Sequence, residues 1–459
     1  MLPGRHLSLQ WLAAALWVCA GALAQARTDP PFGVAPIRYT HSTLPNGLQV
    51  IAVPSRHSPT VSVQVWYRVG SRDDPPGRSG FAHLFEHLMF KGSRYLQSEQ
   101  FDRLTDDVGG SNNAFTSNDM TVFESVVPSN HLEVLLWAEA ERMSNLGVNA
   151  DSFESERAVV EEEFRQRVLA TPYGRLGNGL PGAAYQVHPY GRPTIGRIED
   201  LEAATLEDVL QFHSTYYRPD NATLVVAGDF DADQLTQWVV KYFGGLTRPS
   251  APLPRPSQEE PAWRRDRRVD LTGPHVPLPA VALVWLAPSI ASADAAALEV
   301  MSGLLSSGES SRLNQSLVYR QQIASDASFD ADLRVGPGLL TATATAASNR
   351  PLQQVIEALW AQLQRLATAP IAEAELSRVK AQMLTAALQT RETPDGLAAV
   401  FGEAATLAGD PERVNSDLLA LQRVSAADVQ RVVKRYVLRA HHVVVRYTQA
   451  PTPDALLSR

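Results

Sequence analysis

At 459 residues the chain exceeds what a single hydrophobic core usually serves, so two or three domains of ordinary size are expected. Its 44% hydrophobic and 20% charged residues exclude a disordered chain, and its formal charge of −8 argues against nucleic acid as a main partner. The one cysteine, Cys19, excludes a disulfide framework.

The first segment, MLPGRHLSLQWLAAALWVCAGALAQA, places Arg5 ahead of an apolar run from Trp11 to Ala24. The run ends in Ala22-Leu23-Ala24, the spacing of a cleavage site, so residues 1–24 read as a secretory signal. Cleavage would remove both Arg5 and Cys19, leaving a more acidic mature chain with no thiol. A metal site in that chain must use histidine and carboxylates. No later stretch is long and apolar enough to span a bilayer.

A first domain is expected over residues 37–247. TVSVQVWY alternates apolar residues and predicts a strand. GFAHLFEHLMFKG, residues 80–92, then sets His83 and His87 four apart with Glu86 between them, among Phe81, Leu84, Phe85, Leu88 and Phe90 of a strongly apolar helix. Positions i, i+3 and i+4 share a helical face. Three ionisable groups inside an apolar helix are costly unless paired, and a metal held by both imidazoles would remove that cost. Zinc in a catalytic site takes three protein ligands and keeps a fourth position open.

Further along, Asn113, Ala114, Phe115 and Thr116 follow Gly109-Gly110 and precede an alternating strand. On a free sheet edge they would accept an extended peptide through backbone hydrogen bonds, while the same residues would also suit an ordinary hairpin arm. ESERAVVEEEFRQR, residues 154–167, offers five glutamates on a helix. Glu156 and Glu163, seven apart, share a face, and Glu161 and Glu162 point elsewhere. The spacing leaves both a metal ligand and a solvated acidic face open.

A linker is expected at residues 248–268, where RPSAPLPRPSQEEPAWRRDRR has no apolar periodicity. The domain beyond it, residues 269–450, repeats the first. Val65-Trp66 recurs as Val284-Trp285, Asp208, Val209 and Tyr216 recur as Asp428, Val429 and Tyr436, and Arg157 recurs as Arg378. The near-constant offset indicates duplication. Each copy has strands grouped apart from helices, which predicts an α+β fold of two tandem homologous domains. Each would be a mainly antiparallel sheet with helices on one face. The offset carries His83, Glu86 and His87 onto Ser302, Leu305 and Ser306, and Glu163 onto Leu384, so only the first copy can hold a metal.

His83-Leu-Phe-Glu86-His87 is the inverted zinc motif H-x-x-E-H. Across nearly its whole length past the signal, the chain resembles the pitrilysin, insulysin and mitochondrial processing peptidase family of zinc peptidases, in its short bacterial form. The segments 109–128 and 190–231 and SSRLNQSLVYRQQIASDASF carry the likeness beyond the motif. The resemblance implies a metalloendopeptidase that hydrolyses peptides by metal-activated water, with one Zn2+ per chain on His83, His87 and Glu163. It further implies Glu86 as the base, Glu156 as a support behind a ligand, and Asn113 to Thr116 as the peptide-binding edge. Many members carry an Arg and a Tyr in the second domain; here those places are Val318 and Ser325, with Tyr319 and Arg320 nearby. Some bacterial members divide these duties between two chains, which implies a dimer, with a homologous chain as the source of the Arg/Tyr pair. With the signal, the resemblance implies a periplasmic location. Its alternative is a non-catalytic structural or assembly subunit, a kind of chain usually marked by loss of a ligand.

Overall fold

The computed structural model describes residues 33–451, and the signal expected over residues 1–24 lies outside them. Alternating and β-branched runs form eleven strands among the described residues, in two sheets. The first contains β1 (Thr40–Thr43), β2 (Gln49–Pro54), β3 (Thr60–Tyr67), β4 (Ser111–Thr116), β5 (Thr121–Pro128) and β6 (Ala222–Gly228), in the order β1-β2-β6-β3-β5-β4. The second contains β7 (Arg267–Gly273), β8 (Ala280–Ala287), β9 (Ala324–Asp332), β10 (Gly338–Ala346) and β11 (Val443–Gln449), in the order β7-β11-β8-β10-β9. Without β1 the two orders are the same. Only β2–β6 and β7–β11 pair in parallel; the remaining pairs are antiparallel.

Each sheet buries one face under helices of its own half. In the first, Val61, Val63 and Val65 of β3 meet Leu84 and Phe85 of the helix Phe81–Leu88 and Leu136 of the helix Leu132–Ser144. In the second, Val281, Leu283 and Trp285 of β8 meet Leu298 and Met301 of the helix Ala295–Ser306 and Leu359 of the helix Leu352–Thr368. Equivalent helices start alike: Thr205 and Asp208 form a capping box, and so do Ser425 and Asp428.

The opposite face of each sheet is covered by a helix from the other half. Pro394–Glu403 lays Leu397, Ala398 and Phe401 on Trp66, Val122 and Val225 of the first sheet. Its Asp395 accepts from Ser62 and Gln64, two buried polar residues that β3 turns to this face. Gly402 lies so near Trp66 that a Cβ there would fall about 2.1 Å from the indole. In return Gly174–Ala184 lays Ala183 and Ala184 on Ala282, Val284 and Val445 of the second sheet.

Between Phe243 and Arg267 the chain forms neither helix nor strand, but it is fastened down. Glu260 accepts from the backbone N–H groups of Gln186, Val187 and His188 at 2.8–3.1 Å, and Trp263 is buried against the second sheet. Among the described residues no helix is long and apolar enough to cross a membrane.

Candidate metal centre

The helix Phe81–Leu88 turns Phe81, Leu84, Phe85 and Leu88 into the core and leaves His83, Glu86 and His87 on its other side. Its start is unusual. Gly80, at the cap position, has φ +92°, and a Cβ there would come 2.7 Å from the Ile195 carbonyl oxygen. Having no side chain, it cannot cap the helix; Asp74 does so from a distance. The two Asp74 oxygens accept from Gly80 N–H and Ala82 N–H, both at 2.8 Å. Burial pushes the Asp74 carboxyl up to about 7 against the pull of these two donors.

Glu163 arrives from the helix Ala150–Phe164, whose start is closed by Asn149 and Ser152. Its Oε1 lies 3.7 Å from His83 Nε2 and its Oε2 3.5 Å from His87 Nε2. One ligand atom from each of the three residues lies within 4.8 Å of the others. Those separations are too long for hydrogen bonds. They approach the roughly 3.3–3.5 Å between two ligands of a tetrahedral zinc with bonds of about 2.0–2.1 Å. Two imidazoles and a carboxylate are also a donor set that zinc accepts, so the residues fit the ion.

Glu156, two turns before Glu163, places Oε2 3.5 Å from His87 Nδ1 and Oε1 2.9 Å from Lys91 Nζ. Burial raises its pKa, but the His87 and Lys91 contacts outweigh that and hold it below the ordinary carboxylate value. His87 shows the reverse balance: burial favours the neutral ring, yet Glu156, Glu86 and Glu163 together raise its pKa. His83 is pushed down to about 3, chiefly by burial and then by His87 and Arg167, which leaves it neutral. Glu86 is raised by burial, while the Thr116 hydroxyl, donating to its Oε2 at 2.5 Å, works in the opposite sense.

Asn113, Ala114, Phe115 and Thr116 lie on β4, which ends the first sheet and pairs only with β5. Asn113 donates to Glu124, and the Phe115 ring meets Trp66 edge-on with centroids 6.0 Å apart. Thr116 ties this strand to Glu86. In the second half Val318 lies in the irregular helical turn Asn314–Arg320 and Ser325 on β9, so neither place presents an arginine or a tyrosine.

Sequence reasoning missed Asp74, Lys91 and Arg167, and took Thr116 only as an edge residue. Arg167 stands 2.6 Å from Glu163 with a largely exposed side chain. Lys91 and Arg167 each sit four residues after a residue of the cluster, a spacing that could have found both. Asp74, seven residues before the first residue of its helix and separated from it by a stretch with two prolines and two glycines, gives no such signal.

The family description Insulinase (Peptidase family M16) matches residues 49–197, and Peptidase M16 inactive domain matches residues 203–383. The Helicobacter pylori protein called Zinc protease PqqE is 32% identical over 405 residues, covering 87% of this chain and 90% of its own. The crystal structure of a protease from Helicobacter pylori superposes with a TM-score of 0.87 at 30% identity, covering 90% of this chain and all of that one. The periplasmic protease PqqL from Escherichia coli shares the fold at a TM-score of 0.73 and 19% identity; this chain covers 50% of it. With the inverted histidine motif, the repeated sheets and these relatives in view, the chain belongs to peptidase family M16.

Proposed function

We propose that the chain is a zinc-dependent metalloendopeptidase acting on peptides or unfolded polypeptides. The observation that carries this reading is the convergence of His83, His87 and Glu163 beside a Glu86 that is tied to the end of an open sheet edge.

His83 and His87 would hold the ion through Nε2 and Glu163 through its carboxylate, with Glu156 fixing the His87 ring from its Nδ1 side. When bound, zinc lowers the pKa of a water toward neutrality and polarises a carbonyl. Substrate would extend β4 through backbone hydrogen bonds along Asn113 to Thr116, which select an extended conformation more than a sequence. That addition brings the scissile bond beside Glu86. Glu86 takes the proton of the attacking water and hands it to the leaving amine; burial, by raising its pKa, equips it for both transfers. The non-catalytic alternative is disfavoured because none of the four positions is lost.

In this reading the second half encloses substrate and binds no metal. The absence of the Arg/Tyr pair at Val318 and Ser325 supports a dimer in which a homologous chain supplies it, and the half-length match to PqqL is in keeping with paired halves. A periplasmic location accords with the signal expected at residues 1–24 and with the fold shared with the periplasmic protease PqqL.

The deciding experiment measures zinc content and peptide hydrolysis for the wild type and Glu86→Gln. One zinc per chain in both, with turnover in the variant down by about 10²–10⁴-fold, is the expected result. Unchanged turnover removes Glu86 as the base, and a wild type without chelator-sensitive hydrolysis removes the whole reading.

A further inference from the structure

The turn between β4 and β5 carries Asp119, only 4% exposed, and three separate parts of the molecule converge on its carboxylate. Oδ1 accepts from the Arg72 guanidinium and from the Tyr190 hydroxyl. Oδ2 accepts from the Val335 N–H at 3.2 Å. Val335 belongs to the second half, in the turn between β9 and β10, and the next N–H, that of Gly336, donates to the Tyr190 hydroxyl at 3.0 Å. β9–β10 is the second half's counterpart of β4–β5. The tips of the two equivalent hairpins are therefore joined through one acid, with Tyr190, fully buried, between them.

The same turn is seated on the segment that starts the histidine helix. Ser71 N–H and Arg72 N–H donate to the carbonyls of Ser117 and Asn118, each at 3.1 Å. Two residues after Arg72, Asp74 caps the helix carrying His83, Glu86 and His87. Arg192 clasps that segment, donating to the carbonyls of Arg72 and Asp74. Three residues before Asp119, Thr116 holds Glu86. Buried, hydrogen-bonded groups with little room to relax transmit displacement instead of absorbing it.

We propose that Asp119 is a positioning residue through which the metal-free half sets the place of the β4–β5 hairpin, and with it the Thr116 hydroxyl on Glu86. This rests on Glu86 being the base only for its kinetic consequence; the mechanical joint stands independently. It gives the second half a task at the site that needs none of its side chains near the metal, because its hydrogen bonds to the joint come from the backbone N–H groups of Val335 and Gly336. It also explains Gly336, where a Cβ would come 3.1 Å from the Tyr190 ring and 3.2 Å from His188.

Two variants cut the joint from opposite sides: Asp119→Asn removes the charge that gathers Arg72 and Tyr190, and Gly336→Val crowds Tyr190 from the second half. Amide hydrogen exchange on the metal-free protein reads the coupling directly. Both variants are expected to exchange at least about tenfold faster across residues 111–123, with β10 unchanged. In the zinc-loaded protein kcat is expected to fall about tenfold to hundredfold and KM to rise with it, because the hairpin that carries Thr116 also carries the edge that takes substrate. Combining Asp119→Asn with Thr116→Val should cost no more than Thr116→Val alone, since both act on one contact. Unaltered exchange in the hairpin, or additive losses in the double variant, overturns the proposal. If the wild type cleaves no peptide, the proteolytic reading falls and the exchange result alone decides the joint.

Discussion

The two halves share a strand order and differ where the first gathers two histidines and two glutamates on one side of a helix. In the first half the helix Phe81–Leu88 offers two imidazoles to a carboxylate from a neighbouring helix, and its contact with the edge strand is the Thr116–Glu86 hydrogen bond. In the second half the equivalent positions are Ser302 and Ser306, and both hydroxyls donate to the Phe329 carbonyl of β9, at 2.9 and 2.7 Å. The place of Glu163 is taken by Leu384, which is buried. The same helix, one turn of histidine or one turn of serine, either holds a set of donors open or stitches itself to the edge. Stability does not require the open arrangement. Three ionisable groups facing one another in a half-buried space are tolerated in one copy and replaced by neutral groups in the other, which is what a functional site in one copy alone would leave behind.

The comparison can be broken most severely by making the first half resemble the second. His83→Ser combined with His87→Ser should abolish zinc binding, taking metal content by elemental analysis from one per chain to none and hydrolysis to background. Glu156→Gln acts less directly. It leaves every ligand in place but loosens His87, so zinc affinity in a chelator competition should fall by about 10–100-fold. The covering helices test whether the halves depend on each other: Gly402→Ala drives a methyl into Trp66 and should cost about 1–3 kcal/mol in denaturant unfolding. The last test concerns pH. The Asp74 carboxyl, at 3.8 when unfolded and about 7 when folded, keeps a proton in the native state that the unfolded chain releases. Its contribution to stability is present at low pH and is lost as pH rises from about 4 to about 7. Asp74→Asn does not titrate, so the fall in melting temperature across that interval should be shallower in the variant than in the wild type.

The duplication and the histidine face are legible in the sequence because each depends on a local period. The offset that carries Val65-Trp66 onto Val284-Trp285 also carries β3 onto β8, and 3.6 residues per turn bring His83, Glu86 and His87 to one side. The choice among five glutamates is not local. It depends on the angle at which Ala150–Phe164 passes the histidine helix, which spacing alone leaves open and only resemblance could anticipate. The exchange of helices is hidden for a similar reason. Nothing in the local period of Pro394–Glu403 says that it will lie on the sheet of the other half, where its Asp395 meets Ser62 and Gln64 of β3. Asp74 is unreadable because the ordinary capping position holds Gly80, and the acid reaches the helix across a loop.

The exchanged helices bear on how such a chain comes into being. β6 completes the first sheet at Gly228, yet the segment that shields its outer side begins only at Pro394. A ribosome adding about 5–20 residues per second needs roughly 8–30 seconds to cover that interval. For that time Ile51, Trp66 and Val225 would lack the helix that covers them. Until residues 394–403 are made, the outer face of the first sheet stays bare, and the first half expressed by itself should be unstable.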